Sequence, residues 1–186
     1  FLAAYQIAIG IDQMDNVPII AYTIAFGVIL VAGLLLIILG FEVLDAPIVV
    51  VISTIIPLAL SLGLVWQHLA SYRTSYLLFT IIGFLAVAWT RSIQMQNKLT
   101  VIILAITHGI AGMTIFLLPI ILSIQGGMKP LFSLVGVGGA LIGIGGLLLS
   151  FLKTGKPILS RGTIMRLFPI LLLVTTALFV AGFQFG

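Results

Sequence analysis

Cysteine is absent from the 186 residues, and acidic side chains are nearly so. Without a thiol the chain supplies no disulfide, no thiolate metal site and no ligands for an iron–sulfur cluster. The four acids, Asp12, Asp15, Glu42 and Asp45, all fall in the first quarter of the sequence, near the ends of apolar runs. No Asp or Glu lies inside an apolar run. Nothing therefore supports a proton-coupled pump, which relies on a buried carboxylate or a chain of them. Charged residues of either sign make up 6% of the chain, against roughly 25% in a soluble domain. That is too little charge to cover a water-facing surface, so a bilayer is the solvent that fits. The basic residues stand singly between apolar runs. The net charge of +4 thus reads as membrane-flanking charge, with no nucleic-acid partner. No arginine stripe lies within a run, which excludes a voltage sensor. The glycine-rich GVGG and GIGG are not phosphate loops, because no Lys-Ser/Thr follows them.

What is present is apolar sequence, at 62% of all residues. A membrane helix needs ~20 mostly apolar residues. Six spans meet that need, at about 18–41, 47–68, 74–92, 99–124, 130–152 and 163–185. The expected fold is an all-α integral membrane protein: one transmembrane helical domain over residues 1–186, a bundle of six helices with short loops. Pro18, Pro47 and Pro130 stand at or near span starts, and Pro157 less directly so. A proline is tolerated there because its missing N–H would be unbonded anyway. Asp15-Asn16 and Asp45 precede two starts and are candidate caps. The segment FLAAYQIAIGI (1–11) is apolar but too short to span. Three readings stand for it: an interfacial helix, the tail of a seventh membrane helix, or the start of a mature chain after signal cleavage.

Orientation is set by the basic residues. With six spans, Arg73 and Lys129 share the face that holds both termini. Arg91, Lys98, Lys153, Lys156, Arg161 and Arg166 share the other. The positive-inside rule makes the second face cytoplasmic and the C-terminus exterior. An exterior start favours a further helix upstream. Trp66, Trp89, Tyr72 and Tyr76 fit interfacial aromatic belts.

Two histidines carry the candidate chemistry. His108, in ITHGIAGM, lies about nine residues into the fourth span, roughly 14 Å from its cytoplasmic end. An ionisable group at that depth is costly and is a functional candidate by default. Gly109 and Gly112 beside it leave room for a close helix, a flat cofactor or a ligand. The alternative is a neutral ring hydrogen-bonded within the bundle. His68, in WQHLASYR, ends the second span; it reads as an interface anchor, with a peripheral quinol site as the sharper alternative. The second and fourth spans run the same way, so the two histidines lie at different depths and cannot share one haem iron. Met113 is on the His108 helix, and Met165 begins the sixth span away from the required depth. A haem or quinone would therefore need ligands from a partner subunit. No metal site and no catalytic residue set is expected of the chain alone.

The fifth span offers the strongest packing pattern. Gly136, Gly139, Gly143 and Gly146 recur at three- and four-residue steps and make one smooth helical face. Such small-xxx-small spacing lets two membrane helices approach closely. The face suits packing inside the bundle, packing on another subunit, or a lipid or pigment cavity. Pro57, Pro119 and Pro169 fall inside spans and can kink them. Pro119 and Pro169 lie near opposite ends, so they do not mark one midplane site, and no three-plus-three repeat is evident.

The stretch THGIAGMTIFLLPI (107–120) resembles a segment of haem–copper oxidase subunit III, in its HG pair and the small-residue and IFL run after it. The resemblance covers fourteen residues. That family has seven helices, an interior start and an exterior end, which a missing first helix here would reproduce. The family's buried carboxylate is absent, and Ala111 stands where its second histidine falls. The resemblance implies an accessory subunit of a respiratory complex. Two functions are then expected to compete. One is a non-catalytic subunit of a larger energy-converting membrane complex, oxidase- or quinol-linked, serving assembly, packing or quinone and lipid contact. The other is a small transporter or substrate-binding membrane component, whose polar cavity would draw on Thr107, His108, Thr114, Thr175 and Thr176.

Overall fold

The computed structural model describes residues 1–11, 14–40, 42–43, 46–93, 98–153 and 155–186. Asp12 and Asp45, the latter a candidate cap, lie outside the described residues. The fold is all-α, with no strand among the described residues. A short helix, α1 (Leu2–Ile9), precedes α2 (Asn16–Leu39), α3 (Pro47–His68), α4 (Arg73–Ser92), α5 (Lys98–Ile124), α6 (Ser133–Lys153) and α7 (Arg161–Phe185). Single 3-10 turns, Ala70–Tyr72 and Pro130–Phe132, lead into α4 and α6. The six helices from α2 to α7 are long and apolar enough to cross a bilayer. The protein is thus a multi-pass integral membrane protein. Its large exposed residues, Ile37, Ile38, Ile82 and Trp89 among them, are those a lipid-facing surface requires.

Helix starts and stops obey local chemistry. Pro47 opens α3 at its first turn. Asp15 is the residue before α2, yet its side chain makes no capping bond. Its carboxylate instead lies 3.4 Å from Arg73 Nη2 in an ion pair. A cap that the sequence pattern does not advertise is Ser160, whose Oγ accepts the Thr163 N–H at 3.1 Å and starts α7. Gly126 closes the α5 end with φ of 74°, a left-handed conformation that favours glycine. Helices α3, α5 and α7 continue through Pro57, Pro119 and Pro169. Each proline deprives the carbonyl four residues earlier of its helical donor.

The chain divides into two compact units, Ala3–Thr114 and Ile115–Gly186, with the boundary inside α5. In the first, α2 packs on α3 and α3 on α4. Its core holds Tyr22, Ala25 and Phe26 of α2 and the run from Leu58 to Val65 of α3. In the second, α6 packs on α7 around Phe132, Val135, Phe168, Phe179 and Phe183.

Candidate functional site

Polar side chains in the first unit collect on the seams between α3, α4 and α5. Thr107 and Thr114 are seven residues apart, two helical turns, and share one face of α5. Both meet α4. The Tyr76 hydroxyl donates to Thr114 Oγ1 at 3.1 Å. A β-carbon at Gly83 would lie 3.2 Å from Thr107 Cγ2. Gly83 is buried, and its missing side chain is what lets Thr107 sit there. These two pairs fix an antiparallel register between α4 and the first half of α5.

His108 is the next residue along, half-buried, about 100° around the helix from Thr107. Its Nδ1 lies 3.2 Å from the Leu104 carbonyl, one turn back. A carbonyl only accepts, so Nδ1 carries the hydrogen and donates. In the neutral form of the ring Nε2 is then the acceptor. Gly109 and Gly112 leave open space, with nothing within 4 Å of a β-carbon at either.

His68 is the last residue of α3 and half-buried. The structure does not bring it to His108. Arg73 Nε donates to the Trp66 carbonyl at 2.6 Å, which ties the end of α3 to the start of α4. By the α4–α5 register His108 stands level with Ile82, nine residues further along α4 than Arg73. That places the rings ~13 Å apart along the helix axes. Two imidazoles must both reach one iron to share a haem, and these cannot. Arg73 also sits 5.7 Å over the Trp66 ring, joining Trp66, Asp15 and itself into one surface cluster. Among the described residues no group of three or more His, Cys, Asp or Glu side chains is placed to hold a metal.

The remaining transporter candidates, Thr175 and Thr176, belong to α7 in the second unit. Thr176 Oγ1 donates to its own Leu172 carbonyl at 2.7 Å. The Thr175 hydroxyl is buried without a hydrogen-bond partner among the described residues.

The glycine face of α6 is used unevenly. A β-carbon on Gly136 would come 2.5 Å from the Phe116 carbonyl oxygen and 2.7 Å from Ile120 Cγ1. One on Gly139 would come 2.7 Å from Ile115 Cγ2 and 3.2 Å from the Ile115 carbonyl carbon. Here α6 lies close to α5 at Ile115 and Phe116, one turn before Pro119. Gly143 and Gly146 are exposed, with nothing among the described residues within 4 Å of a β-carbon at either. The α6–α7 seam uses other glycines. Gly138 would meet Phe179 Cδ1 at 2.9 Å, Gly145 would meet Leu171 Cδ2 at 3.0 Å, and Gly182 of α7 would meet Val135 Cγ2 at 2.6 Å. In the first unit, Gly63 of α3 plays the same part beneath the Tyr22 ring of α2. Sequence reasoning misses these four. The seven-residue step from Gly138 to Gly145 is the available signal, hidden among the denser steps of the neighbouring face. No family model, curated protein or solved structure matches this chain.

Proposed function

We propose that this chain is a non-catalytic integral membrane subunit of a larger membrane complex, serving assembly and packing rather than chemistry of its own. The observation that carries the reading is where the polar groups inside the spans point. Thr54 donates to Val50 O at 2.7 Å, Ser61 to Pro57 O at 2.6 Å, Thr90 to Ala86 O at 2.9 Å and Thr114 to Ile110 O at 2.8 Å. His108 does the same toward Leu104. Each group serves its own helix backbone one turn back. A substrate path needs polar groups turned toward a shared space. Apart from the Tyr76 hydroxyl, which bridges from α4 to Thr114 of α5, these are turned to their own carbonyls, and both arrangements suit a packing element.

Membrane subunits as partners are supported by the open half of the α6 glycine face at Gly143 and Gly146. The respiratory, electron-transport assignment, oxidase- or quinol-linked, rests on the resemblance of residues 107–120 alone. The membrane would then be an energy-transducing one. The proposed orientation, with the C-terminus exterior, rests on six basic residues against two.

Mild-detergent extraction of the native membrane and native-gel sizing test the reading. The chain should migrate in an assembly well above its own 19.8 kDa together with redox-active partners. A stable, isolated chain that takes up a solute into vesicles would replace the subunit with a transporter. Orientation is tested by labelling single cysteines introduced at Lys98 and Lys156, which should react only from the cytoplasmic side. Labelling from the exterior would invert the topology.

A further inference from the structure

The mouth of the α4–α5 seam has a positive charge with no ion-pair partner among the described residues. Arg91 stands in the last turn of α4, one turn beyond Val87, which is fully buried. It therefore lies at the end of the packed face of α4 and away from the exposed Trp89. Its Nε is buried and has no hydrogen-bond partner among the described residues. A guanidinium nitrogen left buried and unpaired is costly, and a charge-assisted bond to an anionic oxygen removes that cost. Among the described residues Arg91 makes no ion pair with a carboxylate, the one salt bridge there being Arg73–Asp15. Lys98, exposed at the start of α5, adds a second positive charge on the same side. Around these charges the surface is apolar: Trp89 and Ile93 of α4 and Val101 and Ile102 of α5 are all exposed. Cation and apolar flank at the end of a spanning helix match a phospholipid, with its phosphate at the helix ends and its acyl chains along them.

We propose that this mouth holds the phosphate of an anionic phospholipid, with Arg91 as the principal donor and Lys98 as the second charge. Arginine suits the task because its planar fork engages two phosphate oxygens at once. The placement agrees with the general use of basic pockets between membrane helices for acidic headgroups. The site lies wholly within the first unit, and it does not depend on the chain being a subunit of a complex.

Native mass spectrometry of the full chain, released from nanodiscs of phosphatidylglycerol or of phosphatidylcholine, tests it. The parent should retain phosphatidylglycerol and lose phosphatidylcholine. Arg91→Gln should lower phosphatidylglycerol retention about tenfold, the loss of one charge-assisted bond. Arg161→Gln, at the exposed start of α7, should leave it unchanged. Should Arg91→Gln fail to accumulate, Lys98→Gln carries the test, with an expected drop of about fivefold. Equal retention of the two lipids by the parent overturns the proposal, as does unchanged phosphatidylglycerol retention in whichever variant is read. Displacement of phosphatidylglycerol by excess inorganic phosphate would also overturn it, by making this a soluble-anion site.

Discussion

Helix α6 presents the same motif twice, with opposite results. Gly136 and Gly139 lie so close to α5 that no side chain fits between the backbones. Gly143 and Gly146 continue the same face at the same kind of spacing and meet nothing within 4 Å among the described residues. Spacing therefore records that a helix can be approached closely; what approaches it is decided elsewhere. On the partner helix, buried Ile115 fills the groove that Gly139 leaves, and the Phe116 carbonyl lies over Gly136. Backbone this close also allows Cα–H···O contacts, each worth about 0.5–1 kcal/mol. The half of α6 that has no such partner keeps its groove open.

Filling each half in turn puts this contrast to its hardest test. Gly139→Leu places a branched side chain where a single β-carbon already overlaps Ile115. Overpacking of this kind costs ~1–3 kcal/mol, and the rigid backbone opposite argues for the upper end. Unfolding in mixed micelles should show that loss directly. Gly143→Leu, by contrast, enters open space and should leave the isolated chain within ~0.5 kcal/mol of the parent. Its effect should appear in the native assembly, as loss of a partner on native gels. Equal destabilisation of the isolated chain by the two variants would erase the distinction between the halves.

The same contrast explains what was legible in the sequence. Six membrane helices could be read because burial in lipid leaves a signal in every residue of a span, and the composition carries it redundantly. Helix α2 runs Asn16–Leu39 where 18–41 is expected, and α7 opens at Arg161 rather than 163, where the Ser160 cap bonds Thr163 N–H. Pairwise contacts were far less legible. Gly63 is an isolated glycine in an apolar helix, and nothing local announces that Tyr22 will lie on it. Asp15 has the chemistry of a cap, but its partner is a guanidinium fifty-eight residues away. Thr114 carried no mark that Tyr76, thirty-eight residues earlier, would donate to it. Depth is encoded along the chain, whereas partnership is a property of two segments at once.

A smaller effect is expected at the hydroxyl pair. Tyr76→Phe removes the donor to Thr114 without removing the ring, and the ring is what fills the space beside Phe79, 5.3 Å away between centroids. Thr114 retains its bond to Ile110, so no buried acceptor is stranded. Side-chain hydrogen bonds between membrane helices average about 0.6 kcal/mol. A loss of that size in micelle unfolding is expected. A loss several times larger would mean that Tyr76 holds the α4–α5 seam by more than its bond to Thr114.

The smallest effect is expected at His108, despite its standing as the most conspicuous polar residue in the spans. Its ring donates from Nδ1 to a carbonyl of its own helix, a bond that orders the side chain but joins no second helix. Glutamine is of similar length and carries an amide N–H that can donate in the same direction. His108→Gln should therefore preserve assembly and change stability by no more than ~0.5 kcal/mol. The substitution differs in one respect that matters: it replaces Nε2, the ring nitrogen left free to accept, with a group that cannot ligate iron in the same way. If that nitrogen faces a metal or a quinone oxygen supplied by a partner subunit, the intact complex will report it. Assembly would be unchanged while a haem band disappears, or while turnover falls by more than about tenfold, which is ~1.4 kcal/mol of barrier. Either result would move His108 from packing to chemistry and overturn the non-catalytic reading. An unchanged spectrum and unchanged turnover would leave the ring as a side chain satisfied by its own backbone.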